Sequence, residues 1–179
     1  MKKLMFLIGF GFALTMQAQD YDFGEVSKEE LQESSCNIDS TADACFLYKY
    51  RKSYLEYQRT GNFHLITEVH ERIKIYNKDG LNYATKAIKL YAGGSDDEDL
   101  NGIKGYTYSL VGNKIIENKL KKDAVFKTEL SKYWHEVKFT MPNVKEGVII
   151  EYKYRIDSPY LTNVDEFVFH LNYFLYFFS

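Results

Sequence analysis

The chain has 179 residues, with 23 lysines and arginines against 25 aspartates and glutamates, a formal net charge of -2. That balance, with the two signs interspersed, provides no basic patch and argues against nucleic-acid binding. Aromatic residues make up 17% and there are two prolines, which favours pleated, half-buried strands, and the length suits one domain with a sizeable core.

The first element is an address. Lys2 and Lys3 precede an uncharged apolar run over 4–16, and Met16, Gln17 and Ala18 close it on the small residue that signal peptidase requires. The run is shorter than the roughly twenty residues of a membrane-crossing helix, so residues 1–18 read as an export signal, with maturation at Gln19. The residue directly after the cleavage point is Gln19 and not a cysteine, which argues against a lipid anchor there. The expected location is the periplasm or the cell surface.

A short helix follows. Ser27 can cap the amide of Glu30, Glu30 can reach back to Ser27, and Val26 can pack on Leu31, so capping box and hydrophobic staple coincide. It should end by Ser34 and Ser35. Cys36 and Cys45 then flank Asn37, Asp39, Ser40 and Asp43, turn-forming residues that would let a short loop close. In an exported protein the pair could form a disulfide. The alternative is a buried Cys45 at a strand start and an exposed Cys36.

Residues 44–57 read as a strand, with Phe46, Tyr48 and Tyr50 on one face and Leu47, Lys49 and Arg51 on the other. After a turn at 59–62, Phe63, Leu65, Val69, Ile73 and Ile75 alternate with His64, Glu68, His70, Arg72 and Lys74, which predicts one buried face and one wet face. A turn at 77–80 leads to a weaker extended stretch over 83–91 and an acidic loop over 93–99. Segments 103–110 and 114–120 flank Gly112 and Asn113 as a hairpin. Residues 121–132 are ambiguous, with a helical turn one reading. Residues 133–141 alternate again, and Val148, Ile150, Tyr152, Tyr154 and Ile156 oppose Glu151, Lys153 and Arg155. The expected fold is all-β, mainly an antiparallel β-sandwich with a short N-terminal helix.

Four segments carry a resemblance: Tyr21-Asp22-Phe23-Gly24, the strand from Glu68 to Tyr76, Gly102-Ile103-Lys104-Gly105-Tyr106-Thr107-Tyr108, and Phe139 to Gly147 continuing through Ile150-Glu151-Tyr152-Lys153-Tyr154. Together they resemble the N-terminal domain of unknown function in exported transglutaminase-like proteins, over roughly residues 21–159. The resemblance implies a β-rich domain preceding a papain-like transglutaminase domain, whose Cys, His and Asp would carry any acyl transfer. The present sequence stops before that domain, so no catalytic residue carries over. The domain is expected over 19–166. Residues 167–179 are crowded with Phe, Tyr and Leu and hold no acid, lysine, arginine or glycine; they read as an aberrant, truncated tail, since exposed apolar edges are liabilities.

Candidate chemistry is sparse. A thiol enzyme needs a low-pKa cysteine with an oriented histidine, and Cys45 beside His64 or His70 could be imagined, but no nucleophile signature surrounds either cysteine. His64 and His70 lie on the polar side of their strand and are expected in solvent, His135 lies on an apolar register, and His170 falls in the tail. Asp96, Asp97, Glu98 and Asp99 offer oxygen ligands without the alternating spacing of a calcium loop, and read as a solvated acidic loop. Gly102 and Gly105 do not join a strand to a helix as a phosphate loop requires, and read as bulge or turn residues. Trp134, sharing a face with Glu136 and Lys138, is the exposed aromatic best placed to meet a sugar ring or a peptide side chain. Tyr152 and Tyr154 belong to the core.

These readings predict a non-catalytic interaction or packing module with no cofactor and no metal, whose partner in longer relatives is an adjacent transglutaminase-like domain. The alternative is a periplasmic module that binds glycan or peptide through exposed aromatics such as Trp134.

Overall fold

The structure is a computed structural model that describes residues 21–93 and 96–161. The expected export signal over 1–18 and the expected aberrant tail over 167–179 lie outside the described residues. The fold is mainly β: after α1 (Lys28–Gln32) come β1 (Ala44–Tyr57), β2 (Phe63–Ile75), β3 (Thr85–Tyr91), β4 (Asp99–Val111), β5 (Lys114–Lys119), β6 (Val125–Ser131), β7 (Trp134–Thr140) and β8 (Ile149–Ser158). A five-stranded antiparallel sheet runs β1-β2-β8-β4-β5, and a three-stranded one runs β3-β7-β6. Their facing side chains share one core: Val69, Ile73, Ile150, Tyr152 and Ile156 from the large sheet meet Ile88, Leu90, Val137 and Phe139 from the small one.

The other face of the large sheet is also covered. Residues 21–36 cross it as a strap, and Val26 and Leu31 form a second apolar cluster there with Tyr108 and Ile149. The reciprocal Ser27–Glu30 capping box is present and fixes α1, so Leu31 is held toward the sheet; burying such a side chain contributes about 1.5–3 kcal/mol. The expectation of a wet face on β2 is therefore overturned. Arg72 is 1% exposed and Lys74 0%, as is Glu151 on neighbouring β8. Alternation correctly separates the two faces, but it cannot tell which of them a distant segment will cover.

Two further departures have local causes, and the ambiguous stretch over 121–132 resolves into a turn and a strand. A bulge between Phe46 and Tyr48 breaks the alternation of β1: Phe46 faces Ile73 in the main core, whereas Tyr48 and Tyr50 pair with Arg72 and His70, where Tyr48 stacks on Tyr21 of the strap and Tyr50 stays exposed. Residues Lys78–Ala84 form a 3-10 turn capped by the Asn77 side chain, so Tyr83 precedes β3. Within 121–132 a 3-10 turn over Lys122–Ala124 leads into β6, an edge strand whose residues are almost all exposed and so carry no alternation signal. The β4–β5 hairpin turns at Gly112 and Asn113 as expected, with Gly112 at φ +60, a conformation that favours glycine.

Candidate functional site

Glu151 gathers most of the buried polar chemistry. Register sets it between Arg72 on β2 and Tyr106 on β4. Its Oε1 accepts from Arg72 Nε at 3.0 Å, Arg72 Nη2 at 2.8 Å and His70 Nε2 at 2.8 Å. Its Oε2 accepts from the Gly24 backbone N–H at 2.9 Å and the Tyr108 hydroxyl at 3.2 Å. A carboxylate can only accept, so His70 carries a proton on Nε2. Burial pushes the Glu151 carboxyl up, but the His70 hydrogen bond, the Arg72 charge and the Gly24 N–H together outweigh it and hold the group below the usual carboxylate range.

The same groups fasten the strap. Arg72 Nη1 donates to Glu30 at 3.0 Å and Nη2 to the Asp22 carbonyl at 2.9 Å. Lys74 Nζ donates to the Leu31 carbonyl at 2.6 Å and the Gly147 carbonyl at 2.9 Å. Burial pushes the Lys74 ammonium down from its ordinary value, with Glu33 and Glu30 opposing. Phe23 and Tyr48 meet the His70 ring edge-on, at 5.4 and 4.9 Å between centroids. Both Glu151 oxygens and the His70 imidazole are thus engaged by the chain itself. The arrangement is suited to holding residues 21–32 against the sheet.

The remaining polar groups sit apart from this cluster. Inside the sandwich, Tyr152 donates its hydroxyl to Glu71, which also receives Lys86 Nζ at 3.1 Å. Burial and the Glu71 charge push the Tyr152 hydroxyl well above its ordinary value. His64 Nδ1 donates to Asp157 at 2.5 Å, so neither His64 nor His70 is the free solvated histidine that alternation suggested. His135 is half-buried and its Nδ1 has no partner.

Cys36 and Cys45 are bonded as a disulfide with their Cα atoms 6.0 Å apart, and Cys36 is buried, not exposed in a loop. Cys45 pairs across the strands with Lys74, four residues along β2 from His70, so the imagined thiol–imidazole pair does not form. Within the acidic loop Glu98 is buried and accepts from the Tyr91 N–H and the Ser158 hydroxyl, both at 2.7 Å, while Asp96 and Asp97 stay exposed. Among the described residues no three of His, Cys, Asp and Glu are grouped to hold a metal ion. Gly102 sits at a bulge in β4 with φ +65, and Gly105 packs against Met141.

Trp134 opens β7 opposite Tyr91 and is 42% exposed. Tyr91 meets it edge-on at 5.4 Å and meets Tyr160 at 5.1 Å, which gathers three rings at one end of the small sheet.

No family model matches the chain. No curated protein matches it. A crystal structure described as "a putative protease from Parabacteroides distasonis" is similar over 65% of this chain, at 15% identity and a TM-score of 0.49, and this chain spans 23% of that one. At that level the likeness bears on neither chemistry nor partner.

Glu151, Arg72, Lys74, Glu30 and Tyr108 are the functional residues that alternation alone passes over. The signal for them is the consecutive apolar run Val148-Ile149-Ile150 leading into Glu151, because a strand apolar at both parities is covered on both faces. A charge on such a strand must be paired.

Proposed function

We propose that this chain is a non-catalytic, exported interaction or packing module, of the kind that precedes a transglutaminase-like domain in longer proteins. The observation that carries the reading is the engagement of its buried charges. Arg72, Glu151, His70 and Lys74 direct their hydrogen bonds to one another and to the strap, and the two cysteine sulfurs are bonded together. A disulfide also fits an oxidising compartment. With those groups turned inward, recognition falls to the surface, where Trp134 and its neighbouring rings support the second reading of a module that binds peptide or glycan. Incubating purified protein with glutamine- and lysine-bearing peptides tests the first reading: neither crosslinking nor hydrolysis is expected. Turnover that disappears in Cys45→Ser would overturn it.

A further inference from the structure

We propose that the three-ring cluster of Tyr91, Trp134 and Tyr160, with Asp96 and Asp97 beside it, binds a lysine or arginine side chain of a partner peptide. This deepens the reading of the chain as an interaction module and rests on it. Tyr91 stands edge-on to both other rings, with interplanar angles of 78° to Trp134 and 86° to Tyr160. The acidic loop is pinned at its base: the Glu98 N–H donates to the Tyr91 carbonyl at 2.9 Å, and the Glu98 carboxylate takes the Tyr91 N–H and the Ser158 hydroxyl. The Tyr160 hydroxyl donates to the Asp96 carbonyl at 2.9 Å, which ties the loop to the rings while the Asp96 and Asp97 side chains remain exposed. The negative character of the place reaches the rings. Desolvation raises the Tyr160 hydroxyl above its ordinary value, and Tyr91, Asp96, Asp97 and Glu98 raise it further.

Charge complementarity names the occupant. Elsewhere the chain supplies cations for its own rings: Arg72 lies over Tyr21, Lys153 over Phe23, Lys86 over Tyr152 and Lys132 over Tyr133. Among the described residues no lysine or arginine stands over Tyr91, Trp134 or Tyr160, and neither Asp96 nor Asp97 forms an ion pair. Aromatic faces and unpaired carboxylates together attract a cation that the partner brings. A neutral sugar would use the rings but gain little from the two charges.

Trp134 is the single tryptophan of the chain, so its intrinsic fluorescence reports on this site alone. The disulfide-intact protein is titrated with tetralysine and tetra-arginine peptides, with a glycine-serine peptide of the same length and with a chito-oligosaccharide. The expected result is a saturable change with the two cationic peptides, weakened about tenfold in Asp96→Asn/Asp97→Asn, whose exposed side chains carry no fold contact. An absent response to the cationic peptides, an equal response in the double variant, or a response to the saccharide alone would each overturn the proposal. The saccharide result would leave the binding-module reading standing, whereas peptide turnover would overturn that reading and leave the site intact.

Discussion

Replacing Arg72 with methionine probes the fastening of the strap at its centre. The guanidinium gives two hydrogen bonds to Glu151, one to Glu30 and one to the Asp22 carbonyl. Methionine fills much of the same volume but leaves the Glu151 carboxylate, 0% exposed, without its counter-charge. Removing one partner of a buried pair costs about 3–5 kcal/mol, which for a domain of this size lowers Tm by about 10–15 °C. The burial that opposes ionisation of Glu151 would then be answered only by His70 and the Gly24 N–H, so the acid unfolding midpoint should move to higher pH. Urea and thermal unfolding of the disulfide-intact protein at neutral pH measure the loss. In a double-mutant cycle, Arg72→Met/Glu151→Leu should be less destabilised than the sum of its singles by about 2 kcal/mol or more. It should not recover fully, because the Gly24 N–H and the Tyr108 hydroxyl lose their acceptor. A loss under about 1 kcal/mol for Arg72→Met, or strict additivity in the cycle, would refute the reasoning.

Further outcomes follow from the same structure. The folded Glu151 carboxyl lies below its ordinary value of 4.5, so its contribution to stability is complete above that pH and is lost as pH falls through the folded value; acid titration followed by circular dichroism should show unfolding there. Tyr76 is pushed up to about 12, chiefly by burial, and Tyr108 is raised further, again first by burial. Their stabilisation is whole below pH 10.0 and declines as pH rises beyond it, so absorbance at the tyrosinate band should show these groups ionising only with alkaline unfolding. Gly80→Ala should cost more than Gly105→Ala in thermal unfolding, since a Cβ at Gly80 meets the Asp43 backbone oxygen at 2.4 Å, whereas at Gly105 it meets the yielding tip of Met141 at 2.9 Å. Cys36→Ser/Cys45→Ser should lose just under about 3 kcal/mol in urea unfolding, the value for so short a closed loop.

The legible part of the fold was what local chemistry decides. The helix start at Ser27, the hairpin at Gly112 and the span of β2 each rest on residues near one another in sequence, and each stands where those residues place it. The bulge in β1 escaped because Leu47 and Tyr48 suit either face. The buried charges escaped for a longer-range reason. Whether Arg72 meets water depends on Asp22 and Glu30, more than forty residues earlier, and alternation within one strand holds no information about them. Trp134 was legible as exposed, because its neighbours Glu136 and Lys138 share its face, but the gathering of Tyr91 and Tyr160 around it comes only from strand register and the end of β8.

That Glu151, Arg72 and His70 fasten the N-terminal segment is tested most directly by amide hydrogen exchange in Glu151→Gln. The amides of Gly24, Leu31 and Glu33 report on the strap, and those of Ile73 and Ile150 on the sheet beneath it. A loss of about 3 kcal/mol at the fastening predicts strap exchange faster by about a hundredfold, with a smaller change in the sheet. Unchanged protection at Gly24, Leu31 and Glu33 would contradict the account.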